Sequence, residues 1–226
     1  MRKIASNIYR YFRAVILKDN FYIEVRRWFK DQGDTKLRLN YPNLNKNSIV
    51  FDVGGYLGDF AEAIQKKYGC LIYLFEPHPK FFSKCKKKFK DNKKIISLNY
   101  GLSNQDKFFN IYDDNDGSSF YRKNHDQKSQ INCEVRDILK VKKDLKINKI
   151  DLIKINIEGE EYNLLEHLIQ QNSLDIAFEY QIQFHNFLSD AKSRRNFICK
   201  SLSKSHYRTW CYEFVWENWT LKRDNV

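Results

Sequence analysis

From residue 47 onward the chain alternates short apolar runs with segments that are apolar on one side only. Ser48–Val53 (SIVFDV) is followed by a glycine turn, after which Phe60, Ile64 and Tyr68 recur at helical spacing. Leu71–Phe75 (LIYLF) is a second run, ended by Glu76-Pro77. The next segment puts Phe81, Phe82, Cys85 and Phe89 on one face and Lys80, Lys84, Lys86, Lys87 and Lys90 on the other. Ile95–Tyr100, Ile150–Ile157 and Leu174–Tyr180 read as further strands, and Leu164, Leu165, Leu168 and Ile169 mark the buried face of a helix between the last two. Ala191–Ser203 predicts a helix and 206–221 two aromatic strands. A strand that is apolar at nearly every position needs cover on both faces. Such strands separated by helices predict an α/β fold with a doubly wound, mostly parallel sheet.

Two stretches break the rhythm. In residues 104–147, Lys107–Tyr112 and Ile131–Val135 read as strands around the polar loop Asp113–Ser119, so a hairpin over one end of the sheet is expected. Residues 1–30 read as one interrupted helix or two short ones. Ile4, Ile8, Phe12 and Val15 share a face, and Phe21, Val25, Trp28 and Phe29 another after the Asp19-Asn20 cap. The opposite side carries Arg2, Lys3, Arg10, Arg13, Arg26 and Arg27. A basic amphipathic helix of this kind suits packing on its own domain, a second subunit as in a homodimer, or peripheral contact with an anionic membrane. We expect a helical extension over 1–46 and one catalytic domain over 47–226.

With 226 residues, the chain is long enough for one domain with a sizeable core. The five cysteines are scattered, odd in number and without a C-x-x-C pair, which argues against a disulfide framework or a zinc site. No run approaches the length of a membrane span, and Arg10, Arg13 and Lys18 interrupt the first apolar stretch. A cytoplasmic location is expected. The net charge of +12 fits nucleic acid, an anionic membrane or an acidic substrate, and equally a lysine-rich solvated surface.

The chemistry concentrates at two strand ends. Asp52-Val53-Gly54-Gly55-Tyr56-Leu57-Gly58-Asp59 joins the first strand to the first helix. In open α/β sheets, ligands bind at the carboxyl ends of strands, where glycine lets backbone approach them closely. The dinucleotide pattern G-x-G-x-x-G and the P-loop are both absent. Glu76, at the end of the second strand, suits hydrogen bonding to ribose hydroxyls, which NAD and S-adenosylmethionine share. Asp52 would repel a pyrophosphate and suit the ammonium of a methionine moiety. Together they favour S-adenosylmethionine as cofactor.

Four blocks then resemble the FkbM methyltransferase family of the class I S-adenosylmethionine-dependent group: FDVGGYLGDF (51–60), YLFEPHPKFF (73–82), YGLSNQDKFFNIY with DGSSF (100–120), and IDLIKINIEGEEYNLL (150–165). The segment CEVRDIL (133–139) fits the piece before the last block. The resemblance covers roughly 47–185. It implies a Rossmann-like sheet of seven strands and methyl transfer to an oxygen, typically a hydroxyl of a sugar or natural-product scaffold. It also implies donor contacts at Asp52, Gly54, Gly55, Tyr56, Gly58, Asp59, Glu76 and Pro77, with Gly101-Leu102 near the adenine. One departure stands out: Asn156 occupies a position where the family usually has Asp.

An alcohol acceptor must lose its proton during transfer, so a general base is needed within reach. Glu158, beside Gly159, is the first candidate, with capping of the following helix as its structural alternative. His185 is the second, its ordinary pKa suiting proton removal near neutrality. Asn156 can hydrogen-bond donor or acceptor. Glu161, Asp137 and Asp114 lack convincing ligand spacing, so no metal is expected. A small-molecule or glycan acceptor is favoured, including a nucleotide- or lipid-linked sugar of surface polysaccharide or glycolipid biosynthesis. Nucleic acid is the less favoured partner because the aromatics of the Lys80–Lys94 segment lie on its inner side. The remaining alternative, raised by Asn156, is a methyltransferase fold that binds without catalysing.

Overall fold

The computed structural model describes residues 9, 11–112 and 130–222. Its main sheet has seven strands: β1 (Ile49–Val53), β2 (Leu71–Phe75), β3 (Ile95–Leu98), β7 (Ile150–Ile155), β8 (Ala177–Ile182), β9 (His206–Tyr212) and β10 (Trp216–Leu221). They lie in the order β3-β2-β1-β7-β8-β10-β9. Only β10 runs against its neighbours, inserted as the return arm of the C-terminal hairpin. The strand order reverses between β1 and β7, which opens a crevice at their carboxyl ends.

Each central strand is buried on both faces, as its unbroken apolar sequence requires. Val50, Ile72, Leu74 and Leu152 face one core with Tyr41, Leu44 and Ile64. On that side lie helices α2 (Asp59–Tyr68) and α3 (Pro79–Lys88), which contribute Phe60, Ala61 and Cys85. Phe51, Val53, Ile153, Ile155 and Ile182 face the other core. There they meet α4 (Ile138–Asp144), α5 (Glu161–Gln170) and α6 (Ala191–Ser205) through Ile138, Leu165, Leu168 and Ile198. Tyr41 and Leu44, before the expected boundary at residue 47, are thus already core.

The expected hairpin is part of a second sheet. Strand β4 (Gly101–Ser103) pairs in parallel with β6 (Gln130–Asp137), which pairs antiparallel with β5 (Lys107–Tyr112). The expected loop Asp113–Ser119, together with Asp114, lies outside the described residues, as do Arg2, Lys3, Ile4, Ile8 and Arg10.

Several boundaries differ from expectation, among them the end of β7, at Ile155 rather than Ile157. Strand β3 stops at Leu98, because the turn at Asn99-Tyr100 diverts the chain into β4. A 3₁₀ turn occupies Leu174–Ile176, so β8 starts at Ala177. The N-terminal segment is a π-helical turn, Phe12–Ile16, followed by helix α1 (Asn20–Lys30) with Asp19 as its N-cap, accepting from Phe21 N at 3.0 Å. Trp28 of α1 packs on Trp210 and Tyr212 of β9. Phe12, Val15 and Phe29 are exposed.

One row across the sheet is polar. Asp52, Lys154, Gln181 and Asn218 stand opposite one another on β1, β7, β8 and β10. Such groups are tolerated in a core only when they pair with each other. Tyr41 Oη donates to Gln181 Oε1, and Asn218 Nδ2 donates to Glu179 Oε2 at 3.1 Å.

Candidate active site

The turn after β1 is held from three sides. Gly54 N and Gly55 N donate to Phe75 O of β2 at 3.0 and 3.1 Å. On the β7 side, Asn156 N donates to Val53 O at 3.0 Å. Gly54 has φ +83°, and a Cβ there would come within 2.0 Å of Asn156 O, a backbone atom that cannot swing aside. Only glycine fits. Tyr56 and Glu158, with φ of 50° and 52°, are non-glycine residues in the left-handed region, one on each side of the crevice. Strain of this kind persists only where the surroundings enforce it, and it collects at functional sites.

Asp52, at the end of β1, is fully buried. Its Oδ1 lies 3.0 Å from Lys154 Nζ, and the same ammonium donates to Gly54 O at 2.7 Å. Burial pulls the Lys154 ammonium below its ordinary pKa, and the Asp52 carboxylate opposes that fall. Lys154 was not expected from its sequence. The signal was a lysine with apolar neighbours on both sides in the strand IDLIKI.

Glu76, also buried, follows β2 and accepts from Tyr56 N at 2.7 Å and from His78 N at 3.0 Å. Burial raises its carboxyl to about 7, although both backbone donors favour the ionised form. Pro77 lies over β4, since a Cβ on Gly101 would meet its Cγ at 3.4 Å. Gly101 and Leu102 are therefore beside the Glu76-Pro77 corner, both buried. Asp59 opens α2 with its side chain directed outward to Lys88 at 2.8 Å.

Across the crevice, the segment after β7 meets the segment after β8. His185 Nδ1 lies 3.0 Å from Glu161 Oε1, and His185 Nε2 lies 3.5 Å from Glu158 Oε1. Glu161, fully buried, also accepts from His185 N at 2.8 Å and Gly159 N at 2.8 Å. Burial opposes a charge on His185, but the hydrogen bonds and charges of Glu158 and Glu161 outweigh it and hold the ring at about 9. The imidazole is thus cationic near neutrality, clamped between two carboxylates. Glu158 is the more open of the two, at 34% of its side chain. The helix it precedes takes Glu160 as N-cap residue. Glu160 faces the second sheet, accepting from Ser103 Oγ and from Lys107 Nζ at 3.1 Å.

The structure therefore brings Glu158 and His185 together and adds Glu161, which sequence reading considered only as a cation ligand. Asn156 Oδ1 is buried beside them in the chain and accepts no hydrogen bond among the described residues. Asp137 is elsewhere, capping α4 and pairing with His167 at 3.2 Å. Among the described residues, no group of three or more His, Cys, Asp or Glu is arranged to hold a metal ion.

The chain is similar in fold to a candidate rRNA methylase from Clostridium thermocellum, at TM-score 0.53 and 9% identity over 87% of this chain and 97% of the other. TrmK of M. capricolum, solved with S-adenosyl-homocysteine, aligns at TM-score 0.45 and 14% identity over 81% of this chain and 67% of its own. Aeropyrum pernix fibrillarin, with natively bound S-adenosyl-L-methionine, aligns at TM-score 0.45 and 8% identity over 81% and 70%. No curated protein matches. The model of the methyltransferase FkbM domain matches residues 52–208, more than half of the chain and both sides of the crevice. On that match this chain belongs to the FkbM family of class I methyltransferases, which use S-adenosylmethionine.

Proposed function

We propose that the enzyme methylates a hydroxyl oxygen, on a sugar carried by a nucleotide or a lipid, with Glu158 as the base. The observation that carries this reading is the Glu158–His185–Glu161 cluster. A half-open carboxylate at the mouth of the crevice is backed by a buried imidazolium and a second, fully buried carboxylate.

The residues present fit the donor. Each oxygen of Glu76 already accepts one backbone N–H and retains a lone pair for a ribose hydroxyl. Asn156 Oδ1 offers a buried acceptor to the ammonium of the methionine moiety. Asp52 has Lys154 beside its Oδ1, and its buried Oδ2 accepts no hydrogen bond among the described residues, so it offers a second acceptor to the methionine ammonium. Gly54, Gly55, Tyr56 and Gly58 supply the close backbone wall, with Asp59 at the start of α2. Pro77, Gly101 and Leu102 border the base. When bound, S-adenosylmethionine supplies an electrophilic methyl carbon on a sulfonium.

The protein's own part is to orient the acceptor and take its proton. The acceptor O–H gives its proton to the Glu158 carboxylate as the oxygen takes the methyl group. His185, already cationic, donates toward Glu158 and fixes its orientation, and Glu161 fixes His185. A base so placed contributes roughly 10²–10⁴-fold. The chain's net charge of +12 suits an anionic carrier such as a sugar phosphate.

Incubation with labelled donor and a panel of nucleotide sugars and glycolipids tests the proposal. Label appearing in an alkali-stable methyl ether supports it. Label in RNA, or donor binding with no transfer to any carbohydrate fraction, overturns it.

A further inference from the structure

The N-terminal elements carry a cluster of exposed apolar side chains. On the π-helical turn and just after it, Phe12, Val15, Ile16 and Leu17 all face solvent, with Ile16 and Leu17 61% and 56% exposed. Phe29 of α1 is likewise exposed. Lys18, Arg26, Arg27 and Lys30 are exposed in the same segment. Among the described residues, Arg26 and Lys30 meet no carboxylate, while Arg27 is paired with Glu24 at 2.7 Å. Between the turn and α1 lies an open cleft of about 390 Å³, with Ala14, Val15 and Ile23 as walls and Arg26, Arg27 and Lys30 at its rim. The opposite face of α1 is already used, since Trp28 holds it to β9.

We infer that this face docks on an anionic lipid bilayer. A bilayer surface takes both halves of the pattern, the aliphatic side chains into the acyl boundary and the cations among lipid phosphates. A symmetric contact with a second copy would bring Lys18, Arg26, Arg27 and Lys30 of each chain face to face, with repulsion and little to offset it. A nucleic acid would use the cations but not Val15, Ile16 and Leu17, which offer no ring for a base to stack on. Among the described residues, no helix is long and apolar enough to cross a membrane, so the contact is interfacial.

The start of α1 lies near the segment that follows β8. Asp19, Asn20 and Phe21, at the start of α1, line a second cleft with Asn186, Lys192, Glu213 and Phe214. Asn186 follows His185 directly. The binding itself is independent of which acceptor the enzyme methylates, and the test reads no methyl transfer.

The experiment is flotation of the full chain with vesicles of phosphatidylcholine alone or with phosphatidylglycerol added. Binding is expected to the anionic vesicles, falling as salt is raised. Ile16→Asp with Leu17→Asp should weaken it by roughly tenfold or more, since both side chains leave the apolar layer. Arg26→Ala and Lys30→Ala should each weaken it by about fivefold. All four side chains are exposed, so thermal melts of the variants should superimpose on the parent. Equal binding to neutral and anionic vesicles would overturn the inference, as would full binding by the folded aspartate double variant. Absent vesicle binding also overturns it. A dimer in light scattering that the aspartates dissociate would then assign the face to a second copy, and retention of RNA would assign it to nucleic acid.

Discussion

The Lys154 ammonium lies 3.0 Å from Asp52 Oδ1 and 2.7 Å from Gly54 O, so one buried cation ties β7 to the turn that follows β1. Neither partner has water to fall back on. Replacing Lys154 by Met would leave the Asp52 charge buried and alone, a loss of about 3–5 kcal/mol. For a domain of this size that corresponds to a fall in Tm of roughly 10 °C. The double variant Lys154→Met with Asp52→Asn removes the orphaned charge and should recover much of the loss. A thermal double-mutant cycle measures the recovery, and equal melts for the single and double variants would contradict the pairing.

Glu76 should make donor binding depend on pH. Its carboxyl is raised to about 7 by burial, and only the ionised form offers full acceptor strength to ribose hydroxyls. Affinity for S-adenosyl-homocysteine should therefore fall as pH drops through about 7, by roughly tenfold over two pH units. Calorimetry checks this directly. In Glu76→Gln the binding should be weak at every pH and the dependence flat.

Gly54 and Gly69 separate conformational strain from collision. Both have positive φ, +83° and +68°, so alanine at either meets the left-handed penalty of about 1–2 kcal/mol. At Gly69 the nearest atom to the new Cβ is 3.7 Å away, and nothing more is lost. At Gly54 the Cβ would overlap Asn156 O at 2.0 Å. Gly69→Ala should fold and bind donor normally. Gly54→Ala should lose several kcal/mol more and bind donor far more weakly, as urea titration and calorimetry would measure.

The sheet was legible because its central strands are apolar at almost every position, and β2 and β5 begin and end where their sequences predict. The glycine turn and Glu76 were legible for a related reason, since a close backbone approach and a buried carboxylate leave short local patterns. The Asp52–Lys154 pair and the role of Glu161 were not. Their partners are 102 and 24 residues apart, so no local pattern shows which charge faces which. The N-terminal face was legible only as a stripe. Helical spacing marks Phe12 and Val15 as one stripe, but spacing says nothing about whether a partner covers the stripe, and here both face solvent.

The His185 cluster ties stability and catalysis to the same charge. Burial disfavours the imidazolium, but Glu158 and Glu161 lift the ring from 6.5 to about 9 in the folded protein. A group raised on folding binds its proton more tightly in the native state. Its contribution, up to about 3 kcal/mol, is complete below about pH 6.5 and fades as pH rises through about 9. Urea midpoints should therefore decline across that window, and His185→Gln should be less stable at pH 7 with the decline largely removed. Glu158→Gln takes away one of the two carboxylates that raise the ring, so its decline should begin at lower pH. The same variant keeps the Glu76 corner and the glycine turn intact. Donor affinity should be unchanged while kcat falls by roughly 10²–10⁴-fold, the loss expected of a general base. If Glu158→Gln turned over at the parental rate while its pH-stability curve shifted, the carboxylate would hold His185 in place without taking the acceptor's proton.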